Sequence, residues 1–159
     1  MPKLNLYPIV CLILFCSCKG GGTGFDHLTL KNQDVKTLRS KLEPLGFSYT
    51  ERKSKGISCW LFQKSEGGTV YNVQMRGAAP DTLFEVSAVV RAAKEGGNEK
   101  EIRELFDTVT SFLFVPKDTA AARRWTRRYA LYYVKDTVVD GMFLAVDRMP
   151  FTRELRVTR

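Results

Sequence analysis

The sequence contains a single histidine and few cysteines, and this scarcity argues against several kinds of active site. Nucleophilic catalysis by a Ser-His-Asp or Cys-His arrangement needs a positioned histidine, and His27 lies close to a glycine-rich stretch near the N-terminus. Cys11, Cys16 and Cys18 fall within the first 18 residues, so that only Cys59 belongs to the body of the chain, where an apolar strand pattern predicts it as a small buried hydrophobe. No second cysteine pair completes a four-ligand metal site. We therefore expect no catalytic histidine, no metal ion and no cofactor.

Length and composition predict one ordinary globular domain with a basic surface. The chain has 159 residues, of which 44% are hydrophobic, and a second full domain is not expected at this length. Lysine and arginine number 25 against 17 acidic residues, for a net charge of +8. This balance favours anionic partners without identifying one.

The sequence has no apolar run long enough to cross a membrane. Its longest run is Leu6–Phe15, which is interrupted by Pro8 and preceded by the single charge of Lys3. A helix of about 11 residues spans about 16 Å, well short of the ~30 Å hydrocarbon core of a bilayer. A charged start, a short apolar centre and an exit of small residues are typical of an export signal.

The end of this segment, Phe15-Cys16-Ser17-Cys18, resembles a bacterial lipobox. Ser17 is the small residue expected before the modified cysteine, Cys16 is small enough for the place before it, and Phe15 stands where the family usually has leucine. The resemblance implies that the Cys18 thiol receives a diacylglyceryl group and that the signal peptide, residues 1–17, is removed just before it. Two or three acyl chains, palmitate among them, would make the protein membrane-resident, since each buried CH₂ contributes about 0.8 kcal/mol.

The residues after Cys18 are typical of a tether. Lys19–Gly24 is rich in glycine, and such a chain spans about 15 Å. In the sorting rule of some Gram-negative lipoproteins, aspartate directly after the acylated cysteine retains the protein at the inner membrane; because Lys19 stands there, the resemblance favours the outer membrane. We assign residues 18–27 to the lipidated cysteine and tether, and residues 28–159 to a single domain.

The pattern of the domain predicts an α+β fold, with a mainly antiparallel sheet of about five or six strands packed against two or three helices. Four strand-like runs lie close together in sequence: Phe47–Arg52, Ile57–Lys64, Thr69–Arg76 and Leu83–Ala92. The connections between them are short and carry turn residues, which favours antiparallel hairpins. The second and third runs have apolar residues on both faces, so we expect them to be central in the sheet.

Two helices are predicted on either side of these strands. The first is capped by Asn32 and has its apolar positions at Val35, Leu38, Leu42 and Leu45. The second has Asn98 and Glu101 at capping-box spacing, and Pro116 is expected to end it. Its apolar stripe is the clearest pattern in the chain: Ile102, Leu105, Phe106, Val109, Phe112 and Leu113.

A third helix is predicted to begin near Asp118 and to be strongly basic. Its packed side is expected to comprise Ala121, Ala122, Trp125 and Tyr129. Its other faces carry four arginines within six residues: Arg123, Arg124, Arg127 and Arg128. Asp118 and Asp136 are the only acids close in sequence, so the cluster is either a solvated helical face or a contact surface for anionic headgroups or another acidic surface.

The C-terminal region predicts two or three short strands, since the residues before Asp140 form a strand in one interpretation and only the residues after Gly141 are sheet in the other. Residues 137–146 read as strand, turn and strand, with Asp140-Gly141 suited to a tight turn. Charges dominate Arg153–Val157, which therefore predicts a last strand at an edge of the sheet. Tyr132 and Tyr133 are expected to cover the sheet edge or the core.

We expect a membrane-anchored envelope lipoprotein whose domain acts by binding rather than by catalysis. Another envelope protein or the anionic membrane surface is the expected partner. Two alternatives stay open: a small envelope hydrolase whose acids converge only in the folded chain, and a soluble basic nucleic-acid-binding domain if the true start lies after the apolar segment. A pocket with two carboxylates of raised pKa would favour the first, and steeply salt-dependent binding to DNA or RNA the second.

Overall fold

The computed structural model describes residues 30, 33–93, 98–114 and 116–159. The predicted signal peptide and tether, with Cys18 and His27, lie outside the described residues. The helices are α1 (Val35–Leu42, followed by a 3-10 turn, Glu43–Leu45), α2 (Glu99–Leu113) and α3 (Pro116–Tyr129). The strands are β1 (Ser48–Ser54), β2 (Ile57–Glu66), β3 (Thr69–Ala79), β4 (Thr82–Arg91), β5 (Val134–Val139), β6 (Met142–Met149) and β7 (Thr152–Thr158).

All seven strands form one antiparallel sheet, in the order β1-β2-β3-β4-β7-β6-β5. The predicted α+β class with a mainly antiparallel sheet is confirmed, whereas the expected number of five or six strands was too low. The strands β2 and β3 lie inside the sheet as predicted, but β4 is its middle strand. Asp140 and Gly141 join β5 to β6 with φ angles of 50° and 71°, the left-handed pair of a tight hairpin turn.

The prediction that the last strand lies at an edge was wrong. The strand β7 pairs with β4 on one side and with β6 on the other. Its side chains alternate, so that Leu155 and Val157 are fully buried while Glu154 and Arg156 lie on the opposite face and pair with each other at 2.7 Å. The charges that suggested an edge therefore belong to one face of an interior strand.

The start of each helix is set by a residue that deals with its free N–H groups. Short polar side chains accept from them at α1 and α2, and a proline, which has no N–H, begins α3. Asp34, rather than Asn32, caps α1 by accepting from the N–H of Lys36 at 2.9 Å. Asn98 caps α2 as predicted and accepts from the N–H groups of Lys100 and Glu101. Pro116 was expected to close α2; instead it is the first residue of α3, the helical position that proline favours.

The three helices cover one face of the sheet. The inner residues of the central strands are fully buried, for example Val73, Ala88 and Leu155, and they belong to one hydrophobic core with Phe106 and Val109 of α2. On α3, Ala122 is buried as predicted, and Trp125 and Tyr129 are half-buried. Ala121 is exposed, however, and Thr126 takes its place in the core.

The chain enters the domain at the end of the sheet formed by the turn between β3 and β4. The N–H of Leu30 donates to the carbonyl of Leu83 at 2.6 Å, and the N–H of Val35 donates to that of Pro80 at 3.0 Å. The buried Gln33 amide donates to the carbonyl of Leu113, at the C-terminus of α2, at 2.7 Å. Leu30 and Val35 are therefore both held at this end of the sheet.

The interior position of β7 predicts a large loss of stability for Leu155→Ala. Removing a fully buried leucine leaves a cavity, so we expect the free energy of unfolding to fall by about 2–5 kcal/mol. Leu45→Ala is the matched control, because 52% of that side chain is exposed. Urea unfolding followed by circular dichroism measures both, and equal midpoints would contradict the interior assignment.

Candidate functional site

The four predicted arginines lie on α3, but two of them are bound to a carboxylate that sequence reasoning did not pair with them. Arg123 donates to Asp107 on α2 through Nε at 2.7 Å and through a terminal nitrogen at 2.5 Å. Arg127 binds the same carboxylate at 3.0 and 2.9 Å. Neither Asp118 nor Asp136, the acids close in sequence, appears among the ion pairs of the described residues.

This arrangement holds Asp107 in its charged form. Partial burial acts to raise the pKa of Asp107, but the hydrogen bonds and positive charges of Arg123 and Arg127 outweigh it and lower the pKa below the usual value. The hydrogen bond and charge of Asp107 in turn raise the pKa of Arg123. The shared carboxylate therefore clamps α3 to α2.

Arg124 and Arg128 remain directed to solvent. Both are exposed, and within the described ranges neither forms an ion pair. The guanidinium carbon of Arg128 lies 5.3 Å from the centre of the Tyr129 ring, a cation–π contact that leaves the charge accessible. The single carboxylate of Asp107 binds two of the four guanidinium groups, so the α3 face formed by Arg123, Arg124, Arg127 and Arg128, here called the arginine face, is positive.

The opposite face of the sheet carries cross-strand rows of polar and half-buried residues. In one row, Arg52, Cys59, Arg76 and Glu85 stand side by side on β1 to β4, and Arg76 pairs with Glu85 at 3.1 Å. Cys59 was expected to be a buried hydrophobe, but it lies half-exposed on this face. Burial raises its pKa despite the opposing effect of Arg76 and Arg52, so the thiol stays protonated at neutral pH.

Exposed apolar side chains are concentrated at one side of the sheet. Among the described residues, eight large hydrophobic side chains are exposed, and all except Leu45 come from residues 132–151. The seven are Tyr132, Tyr133, Val134, Val138, Phe143, Met149 and Phe151. The sequence pattern predicted Tyr132 and Tyr133 over an edge or the core and did not indicate this exposed surface. One available signal was Pro150-Phe151, where a large aromatic residue occupies a turn.

An opening of about 300 Å³ lies at the β1–β2 hairpin. Its polar side chains are two lysines and two serines: Lys53, Lys55, Ser54 and Ser58. In the described part of the chain, no three histidine, cysteine or acidic side chains come together as a metal site would require.

No family model, curated protein or solved structure matches this chain. Of the helices that the structure describes, none combines the length and the apolar character needed to span a bilayer.

The clamp predicts that Asp107→Asn weakens the fold at neutral pH and not at low pH. Hydrogen bonds to charged groups contribute about 1.5–3 kcal/mol, and the partial exposure of both arginines lowers the expected loss to about 1 kcal/mol. Because the folded-state pKa is lowered, this stabilisation is present above the ordinary carboxyl pKa and disappears as pH falls through the folded value. Urea unfolding of both proteins at pH 7 and at successively lower pH values below 4 measures the difference, which should shrink as Asp107 is protonated in the folded protein.

Glu104→Gln is the control on the same helix, because Glu104 is exposed and its ion pair with Lys100 is long, at 3.9 Å. A loss for Asp107→Asn no larger than for this control, or one that persists at low pH, would contradict the clamp.

Proposed function

We propose that the protein is an envelope lipoprotein, anchored through an acylated Cys18, whose α+β domain acts by binding. The observation that carries the anchor is the short apolar segment that ends in Phe15-Cys16-Ser17-Cys18. The glycine-rich residues that follow, and the docking of Leu30 at one end of the sheet, support a domain that hangs from its N-terminal side. Lys19 after the cysteine supports residence in the outer membrane.

The arginine face supports an anionic membrane surface as the binding partner. The exposed guanidinium groups of Arg124 and Arg128 are unpaired within the described ranges and are free to bind phosphate oxygens, whereas Arg123 and Arg127 are held on Asp107. A tethered domain stays close to the headgroups, where each basic residue contributes about 1 kcal/mol to binding of the anionic surface. In this proposal Arg124 and Arg128 make the main contact and the other two arginines position α3.

The anchor predicts a mature chain that begins at a lipidated Cys18. Mass spectrometry of the protein from a bacterial host should find an N-terminus at Cys18 with a diacylglyceryl mass, and labelled palmitate should enter the chain. Cys18→Ser should abolish both, because the modified thiol is missing.

Cys16→Ser is the control for the anchor, since it keeps a small residue in the recognition stretch and should leave lipidation intact. A chain that still begins at Met1, or that is cut elsewhere without lipid, would contradict the proposed localisation.

The arginine face predicts charge-dependent binding to vesicles. For residues 19–159 without the anchor, Arg124→Ala with Arg128→Ala should lower the affinity for phosphatidylglycerol vesicles by about thirtyfold, the equivalent of about 2 kcal/mol. Vesicle co-sedimentation at low and physiological salt measures this, and salt should weaken the unsubstituted chain more than the variant.

Lys53→Ala with Lys55→Ala removes the same charge from the β1–β2 hairpin and serves as the matched control. An equal loss in both variants would show an effect of net charge alone. Equal binding by the arginine variant and the unsubstituted chain, or binding by neither, would reject contact through the arginine face.

A further inference from the structure

The exposed aromatic residues of the C-terminal region meet at one corner of the domain. Residues 132–134 and 148–151 lie side by side, because the N–H of Arg148 donates to the carbonyl of Tyr133 at 2.7 Å. The aromatic corner, as we define it, is the set Tyr132, Tyr133, Met149 and Phe151, whose exposed fractions are 49%, 71%, 50% and 56%.

The corner is held in a fixed shape by hydrogen bonds to its backbone. The buried Arg153 donates to the carbonyls of Met149 and Thr152 at 2.6 and 2.9 Å, inside the turn that carries Phe151. The N–H of Ala92 donates to the carbonyl of Phe151 at 2.9 Å. The exposure of Met149 and Phe151 is therefore built into the turn, and no rearrangement is needed to present them.

Cations flank the aromatic rings on the helical side. The Arg148 guanidinium lies 5.2 Å from the centre of the Tyr133 ring, and Arg128 lies 5.3 Å from that of Tyr129, whose ring packs edge-on against Tyr132 at 5.1 Å. The arginine face and the aromatic corner are thus continuous.

The nearby carboxylates lie on the other side of the sheet. Asp136 and Asp147 share the face opposite the helices, as the β5–β6 register and the burial of Leu144 and Val146 show. Met149 alternates onto that same face, whereas Tyr133 lies in register with Arg148 on the helical side. The helical side of the corner consequently combines exposed apolar rings with positive charge.

This combination fits the interfacial zone of a bilayer better than bulk water. Tyrosine rings are enriched at headgroup depth, where the ring contacts acyl chains and the hydroxyl contacts water. Arginine extends its charged end to the phosphates while its stem stays with the apolar groups. Exposed apolar patches of this kind mark interaction surfaces.

We propose that the aromatic corner inserts into the interface of the anionic bilayer that holds the anchor, so that the domain lies on its α3–β5 side. The inference rests on the proposed function, since it needs the domain to be held at a membrane. The length of the tether permits this orientation. Leu30 binds at the start of β4 and the aromatic corner lies near the end of that strand, so the tether has to cover about the length of the ten-residue β4, which is about 33 Å. The twelve residue steps from Cys18 to Leu30 span at most about 40 Å.

The test uses the mature, lipid-anchored chain reconstituted into phosphatidylglycerol vesicles that contain brominated acyl chains. In Phe151→Trp, the introduced indole should show blue-shifted emission that brominated lipid quenches. In Leu45→Trp, the control at the opposite side of the sheet, the emission should stay unquenched, because Leu45 is equally exposed but belongs to the β1 side. Trp60 and Trp125 give the same background in both variants.

Phosphatidylcholine vesicles supply the second comparison, in which the Phe151→Trp quenching should be lost because the arginines have no anionic lipid to bind. Equal quenching of the two variants, or none in either, overturns the inference while the anchor stands.

Benzoylphenylalanine in place of Tyr133 should form lipid adducts in cells, and protein adducts instead would assign the corner to a protein partner and overturn the inference. A chain without acyl groups overturns the proposed function and this inference together.

Discussion

The pairing of β4 with β7 is the constraint on which the rest of the structure depends. It joins the β1–β4 meander to the β5–β7 meander, and brings Ala88 and Leu155, 67 residues apart in the chain, into direct register in the core. The two helices between the meanders must then return to the face that this register buries. The opposite face keeps its polar rows, and the arginines of α3 are placed on the outside of the helical layer.

Features set by neighbouring residues could be predicted from the sequence, and features set by distant pairing could not. The Asn98 cap, the Asp140-Gly141 turn and the first four strands depend on local chemistry, and each strand ends within three residues of its predicted boundary. The strand β7 was wrongly predicted at an edge because the prediction used only the number of its charges. In the structure, Glu154 and Arg156 share one face of the strand, and Leu155 and Val157 share the other.

The candidate site shows the same division. Four arginines close together on one helix are visible in sequence, but their neutralisation is not, because Asp107 lies 16 and 20 residues before the arginines that it binds and reaches them only when α2 and α3 pack together. The aromatic corner depends on which residues the strands bring to one end of the sheet. Nothing in the Tyr132-Tyr133 pair itself indicates that Arg148 and the 149–151 turn will lie beside it.

In the proposed arrangement, the anchor and the corner have different energetic roles. In that arrangement two or three acyl chains would hold the protein at the membrane, so the corner would add little to residence and would act on orientation. For a tethered domain, contacts by Arg124 and Arg128 of about 1 kcal/mol each favour one orientation by about thirtyfold. Salt screens these contacts, whereas burial of Tyr133 and Phe151 does not depend on ionic strength. The Arg52-to-Glu85 row lies on the face of the sheet opposite the helices, so neither of these two contributions to the orientation involves it.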